Sequence, residues 1–506
     1  MPKNPFVIVP PEPGALLESL RAFGYSPQAA IADLVDNSIA AGARTIQLDA
    51  HWDGDQSWFR VSDDGSGMDA DGLNEAMKLG GNGPMVLRDE ADLGRFGLGL
   101  KTASFSQCRH LTVCSISASG RANVRRWDLD YVKDTGQWRL LTTPLPDQRS
   151  ILENPVAKGR AGTVVLWQHM DRIVGGTDVD DSQARSRFNE VLREIEQHLE
   201  MVFHRYMAGR GKIRLLVNGN LIKPWDPFQA NEVATQQLPE ECLWVGSERV
   251  MVQPYILPHV SRFSGRRSHE RAGGIRGWNA HQGFWVYRNR RLLVAGEWLG
   301  LPFKKEEHYK LARIQVDIPN TLDQEWDIDV RKSRARPPAS LRDDLLRIAT
   351  TTRSRAVDVY RHRGKIMRKP RQEVYVDLWD RKVRSGKLHY SLNRDHPAIA
   401  QVLDEAPQHH LSIEVMLRLI EETVPTGMIT IDHAERNDEL GQPFENTDSK
   451  VLIDAGRRIM QMLRRQGLES GEAAGRLALI EPFQLRPEIV QILAEEQDGL
   501  ADGFDQ

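Results

Sequence analysis

Four short segments break up the first third of the chain: DLVDN at 33–37, DDGSGM at 63–68, GRFGLGLK at 94–101 and GT at 162–163. Glycine at this density gives a backbone freedom that neither a long helix nor an uninterrupted strand tolerates, so most of these segments must be turns joining short elements. The stretches between them fit that requirement. Ser26 suits a helix cap, Pro27 the first helical position and Gly42 the exit, which predicts a helix over 26–41. Ala30, Ile31, Leu34, Val35 and Ile39 form its apolar stripe, while Asp33 and Asn37 stand four apart on a shared face. Residues 44–50, 57–63, 110–117, 121–129 and 162–168 read as strands, with helices near 70–78 and after Leu100. The outcome is a mixed helix and sheet domain reaching about residue 175, of the α+β class.

Each segment carries a group that binding of a magnesium nucleoside triphosphate needs, although the familiar GxxxxGKS/T loop is absent. The helix at 26–41 offers Asn37 as a neutral oxygen ligand for Mg2+ and Asp33 as a carboxylate to take a proton from water. Asp63 can accept from the exocyclic amine of adenine, with Gly65 and Gly67 removing side chains that would bar the ring. Gly94, Gly97, Gly99 and the helix that follows present unpaired amides to the phosphates, and Lys101 adds a point charge. Any one of these segments alone is common. Their occurrence together, in this order, is the signal.

The rest of the composition narrows the setting. The chain has 506 residues, enough for about three domains, and 40% are hydrophobic, a globular balance. Sixty-seven Lys and Arg against seventy Asp and Glu leave a net charge of -3, so affinity for nucleic acid has to come from a local patch. Three cysteines without a CxxC pair argue against a disulfide framework or a structural zinc, and a reducing cytoplasm is the expected location. No run of apolar residues suits a membrane span, and the opening MPKNPFVIVPPEPG lacks a signal layout. Its five prolines make residues 1–14 an extended arm.

The four motifs resemble those of the GHKL superfamily, which shares the Bergerat ATP-binding fold of gyrase, histidine kinases, ninety-kilodalton heat-shock chaperones and MutL. Residues 26–175 are most similar to MORC and MutL-like ATPases, including prokaryotic relatives in restriction and phage-defence gene clusters. LVNGNLIKPWDPF at 216–228, GFWVYRNRRLLV at 283–294 and WDIDVRKSRARPP at 326–338 resemble an S5-type transducer domain. The resemblance implies an N-terminal arm (1–14), a GHKL ATPase domain of α/β sandwich type (15–180), an S5-like transducer domain (181–338) and a mostly helical C-terminal region with an acidic tail (339–506). It also implies ATP and Mg2+ as cofactors, with Asp33 as the catalytic acid-base group and Asn37 on the metal. Asp63, Gly65, Gly67, Met68 and Thr163 fall on the adenine side, and Gly94, Arg95, Phe96, Gly97, Leu98, Gly99, Leu100 and Lys101 on the phosphate lid. Two departures stand out. Asp33 occupies a position where the family usually has glutamate, one methylene longer, which implies slow turnover. Ala40 replaces an acidic residue found in many members.

A transducer lysine touches the γ-phosphate in this superfamily; Lys332 is the expected counterpart, with Arg334 as the rival. The implied mechanism is an ATP-gated homodimeric clamp. Its expected partner is double-stranded DNA, gripped without sequence preference. Residues 331–371 hold fourteen Lys or Arg against three Asp, and Arg262, Arg266, Arg267 and Arg271 in the stretch 261–274, read as a mobile loop, form a second cluster with Arg276 just after it. Partner proteins are expected to engage the C-terminal region. The alternatives are a chaperone-like ATPase and a nucleotide-binding scaffold with little hydrolysis.

Overall fold

The structure, a computed structural model, describes residues 11–22, 24–80, 99–146, 148–157, 160–209, 211–263, 265–328, 335–361, 376–384, 387–426, 428–429, 448–483 and 486–501, with backbone alone at 361, 381–384, 387–388 and 497–501. The chain divides into two compact units, Met1–Lys365 and Ile366–Gln506. Of the arm read over residues 1–14, residues 1–10 lie outside the described residues, and its end is corrected: Pro13 and Gly14 open the first helix, α1 (Pro13–Arg21), because proline is tolerated in a first helical turn. Arg21 anchors it: the guanidinium donates to the Cys108 carbonyl at 2.9 Å and to both oxygens of Asp171 at 2.7 and 2.6 Å.

The next helix, α2 (Pro27–Ala40), forms where its caps predict, with the Ser26 hydroxyl accepting from the Ala29 amide at 3.3 Å. Strands β1 (Thr45–His51) and β2 (Trp58–Asp63) follow, then α3 (Ala70–Met77) and α4 (Gly99–Phe105). Strands β3 (His110–Ile116), β4 (Ala122–Asp128) and β5 (Gly162–Gln168) complete the expected set, with the short helices α5 (Leu129–Thr135) and α6 (Gln148–Ile151) between the last two. A long helix, α7 (Ser182–Val202), and a short α8 (His204–Met207) follow. Strands β6 (Arg214–Val217) and β7 (Asn220–Leu221) come next and extend the first sheet, whose order is β4-β3-β5-β2-β1-β6-β7. β6 was expected in the second domain. It pairs parallel with β1 instead, because Leu215 and Val217 reach the core that already holds Ile46 and Leu48. Phe188, Ile195 and Leu199 of α7 join that same core, which covers one face of the sheet together with α2 and α4.

The second sheet has β8 (Gln236–Gln237), β9 (Glu241–Val245), β10 (Glu248–Ile256), β11 (Gly283–Arg288), β12 (Arg291–Glu297) and β13 (Ala312–Ile318). The order along it is β12-β11-β13-β10-β8, with β9 also on β10. Between β10 and β11, the stretch read as a mobile loop holds a helix, α9 (Arg266–Gly273), and the one-turn α10 (Gly277–Ala280). The loop expectation is therefore corrected. A stretch with so little apolar character is held by anchors at its C-terminal end: Trp225 donates to the Arg271 carbonyl at 2.8 Å and Arg313 to the Ala272 carbonyl at 2.9 Å. Arg313 is fully buried among Trp225, Trp278 and Trp285, 5.4 to 5.6 Å from each ring, and burial pulls its guanidinium down to about 9. Trp298 and Trp326 are buried in the core of this sheet.

Helix α11 (Arg342–Arg361), assigned by sequence to the C-terminal region, contributes Leu345, Ile348, Ala349 and Ala356 to the core of the second sheet. In the second compact unit a hairpin, β14 (Trp379–Arg384) and β15 (Lys387–Leu392), accompanies the expected helices, among them α12 (Pro397–Glu405) and α13 (His410–Glu422). Three further helices, Ser449–Arg465, Ser470–Leu477 and Pro487–Ala501, pack around Ile459, Met460, Leu477 and Phe483. Among the described residues no helix is long and apolar enough to cross a membrane.

Candidate functional site

The floor of the site is a row of side chains across three strands. The register sets Asp63 of β2 opposite Thr163 of β5, and Thr163 opposite Ser115 of β3, so the three side chains share one face. The Ser115 and Thr163 hydroxyls are 2.9 Å apart. Asp63 accepts from the Ser38 hydroxyl at 2.8 Å and from the Gly65 amide at 2.9 Å, while Asn154 donates to its backbone carbonyl at 2.8 Å. Burial pushes the Asp63 carboxyl up, opposed by the Gly65 and Ser38 hydrogen bonds. Sequence reading named Asp63 and Thr163 and the structure places them side by side. It missed Ser38, Ser115 and Asn154, common residue types whose roles emerge only from strand register and helix packing.

The two adenine-side glycines have a reason of their own. Gly67 has φ +63°, and a Cβ there would lie 1.8 Å from the Ile116 carbonyl oxygen. At Gly65 a Cβ would meet the Cβ and the carbonyl oxygen of Ala41, both at 2.9 Å. The space beside these glycines is filled by protein, so they are required for the loop to pack on β3 and on the end of α2. Met68 closes the same loop, its amide donating to the Ser115 hydroxyl at 2.8 Å.

The other wall is α2, where Asp33 and Asn37 differ sharply in environment. Asp33 is 3% exposed, whereas Asn37 is exposed. Gly99, the first residue of α4, stands close by: a Cβ on it would be 3.7 Å from an Asp33 carboxylate oxygen. The start of α4 and the candidate base are thus brought together. Gly94, Arg95, Phe96, Gly97 and Leu98 lie outside the described residues, as do Lys332 and Arg334. Leu100 is half-buried. The Lys101 ammonium donates to the Ala76 carbonyl in the last turn of α3, at 2.9 Å, and burial lowers it to about 8.

A further residue, unforeseen from sequence, enters from the second sheet. Arg291 at the start of β12 donates through Nε to both carboxylate oxygens of Asp36, at 2.9 and 2.7 Å. Its Nη2 stands 3.9 Å from Asp33. All three side chains are at most 4% exposed. Nothing in the local sequence of α2 signals a partner 255 residues away.

The family model for histidine kinase-, DNA gyrase B- and HSP90-like ATPases matches residues 25–163, the stretch that contains α2, the Asp63 loop and the threonine of the floor. Residues 25–163 are a GHKL ATPase domain. No curated protein sequence matches the chain. A crystal structure described as the N-terminal domain of a DNA repair protein aligns with 70% of this chain and 99% of its own, at 15% identity and a TM-score of 0.41. The GHKL match ends at the beginning of β5, so β6, β7 and the second sheet lie beyond it.

The donor set of the GHKL domain fits a magnesium nucleotide. One exposed neutral amide, Asn37, suits an ion that keeps most of its coordination for water and phosphate oxygens. A buried carboxylate, Asp33, suits the taking of a proton, and the Asp63, Ser115 and Thr163 floor supplies a polar edge for a base.

Proposed function

We propose that the protein binds ATP with Mg2+, hydrolyses it slowly, and uses the cycle to close and release a homodimeric clamp on double-stranded DNA. The carrying observation is that α2 sets Asp33 beside Gly99 and, through Ser38, holds Asp63, which lies opposite Thr163, all inside the stretch matched by the GHKL model. In this reading Asn37 holds the metal, Asp33 orients and deprotonates water, and Asp63 with Thr163 receives adenine. Gly65, Gly67 and Met68 shape the adenine side, and residues 94–101 cover the phosphates. Lys332, or Arg334, reaches the γ-phosphate. Of the domain limits read from sequence at 14, 180 and 338, the second separates β6 and β7 from the sheet they extend and the third separates α11 from the core it joins. A phage-defence or DNA-transaction setting, in the cytoplasm, is the context the MORC and MutL resemblance suggests.

The DNA half of the proposal rests on the exposed arginines of the second sheet. Arg262, Arg266, Arg267, Arg271 and Arg276 are all exposed around α9. The 331–371 run contributes less than its composition suggests. Arg353 is buried against Phe303 and Tyr309, 4.0 and 3.8 Å from their rings, and Arg347 is paired with Glu241 and Asp344. Arg342 and Arg355 remain exposed on α11.

ATP turnover of the full chain, with and without duplex DNA and at two salt concentrations, tests the proposal. Asn37→Ala should abolish turnover; retained hydrolysis would remove the metal assignment. DNA retention that responds to neither ATP nor salt would remove the clamp. The short, arginine-flanked Asp33 favours one second reading, a scaffold that binds nucleotide tightly without turning it over; tight binding with no hydrolysis would select it.

A further inference from the structure

We propose that Arg291 is a positioning residue for Asp33, through which the second sheet sets the rate of hydrolysis in the GHKL domain. This rests on the reading of Asp33 as the base. Arg291 follows a tight turn in which Asn289 and Arg290 have φ of 46° and 70°, the backbone signature of a two-residue hairpin between β11 and β12. That turn is fixed to α8: the Tyr206 hydroxyl donates to the Asn289 carbonyl, and the Arg290 guanidinium lies 5.1 Å from the Tyr206 ring. Arg291 emerges from it into a site with almost no solvent.

The geometry divides the guanidinium between two carboxylates. Nε is committed to Asp36, and Nη1 donates to the Leu292 carbonyl at 3.1 Å. Nη2 faces Asp33 at 3.9 Å, beyond hydrogen-bond length and within ion-pair reach. Asp33 therefore feels a fixed positive charge without giving up a lone pair to it. Two carboxylates and one guanidinium share a buried space, and the nearby half-buried His198 is kept neutral, desolvation and the Arg291 charge together bringing it down to about 4. A guanidinium has the rigid fork this division requires, and an ammonium does not.

The consequence is mechanical. Asp33 is a short side chain that depends on placement, and its placing charge sits on a strand of another sheet. Displacing the β11–β12 turn relative to α2 would move Nη2 toward Asp33 or away from it, changing the positive charge that bears on the base. Hydrolysis then becomes contingent on how the second sheet lies against α2.

The experiment compares three variants of the full chain with wild type for kcat, for affinity toward a fluorescent ATP analogue, and for folding by circular dichroism. Removing one member of a buried ion pair strands the other charge, so the deciding variant is the neutral double substitution Asp36→Asn with Arg291→Met. It should fold, bind the analogue within about threefold of wild type, and lose roughly 10- to 100-fold in kcat, as expected for a misplaced reacting group. Arg291→Lys should recover part of that loss. Asp33→Asn is the control. If Asp33→Asn abolishes turnover while the double variant keeps the wild-type kcat, Arg291 is a structural pin and the proposal is overturned. A kcat loss matched by an equal loss of affinity overturns it also. Should Asp33→Asn itself turn over normally, the base assignment falls, and the inference with it.

Discussion

The two carboxylates of the nucleotide site, Asp63 and Asp33, are satisfied in opposite ways. Asp63 is held by its own neighbourhood, the Ser38 hydroxyl and the Gly65 amide, both within the matched domain. Asp33 lies beside a guanidinium that arrives from β12, beyond the matched stretch. The proposed adenine side is thus built within the matched stretch, whereas the proposed hydrolytic side also draws on a residue beyond it. Binding and hydrolysis should accordingly be separable by mutation.

The strongest way to break this comparison is Asp33→Asn. Turnover should fall at least ~100-fold, the usual contribution of a positioned base, with nucleotide binding retained. If binding falls with it, the two sides are not independent. Gly67→Ala comes next, since it forces a Cβ into the Ile116 carbonyl at a backbone angle that disfavours side chains. A loss of roughly 2–4 kcal/mol in chemical denaturation is expected, and a neutral outcome would show that the loop can shift.

Asp63→Asn should weaken ATP binding by about 30-fold, the size of a lost hydrogen bond to a charged acceptor. Its effect on stability should have the opposite sign. A carboxyl whose folded pKa is raised binds its proton more tightly in the folded state, so ionising it costs stability as pH rises above the ordinary carboxylate range. The asparagine variant should therefore melt higher than wild type at neutral pH, and the difference should vanish on acidification below the unfolded value. The smallest effect is expected at Arg347, an exposed residue on α11. Arg347→Ala should leave melting and turnover unchanged, while Arg267→Ala on α9 should weaken duplex retention about twofold and flatten its salt dependence.

Sequence reading found what is local and missed what is distant. Ser26, Pro27 and Gly42 bracket a helix through nearest-neighbour chemistry, and α2 forms between them. The strands around Asp63 and Thr163 were legible because their apolar residues and glycine breaks recur over a few positions. Helix α9 was not, because RRSHERAG has no apolar stripe and its stability comes from Trp225 and Arg313, each about forty residues away or more. Nothing local in YRNRRLLV sets Arg291 apart from its neighbours, since only tertiary folding brings Asp36 to it. Arg353 misled in the reverse direction, counted toward a basic surface yet packed under Trp298, Phe303 and Tyr309.

The parallel pairing of β1 with β6 has a practical corollary for anyone cutting the gene. A fragment stopped at residue 180 would lack β6, leaving the backbone donors and acceptors on that side of β1 unpaired, an invitation for neighbouring molecules to add strands and precipitate. A fragment carried past Leu221 takes the sheet's own last two strands with it and should stay in solution.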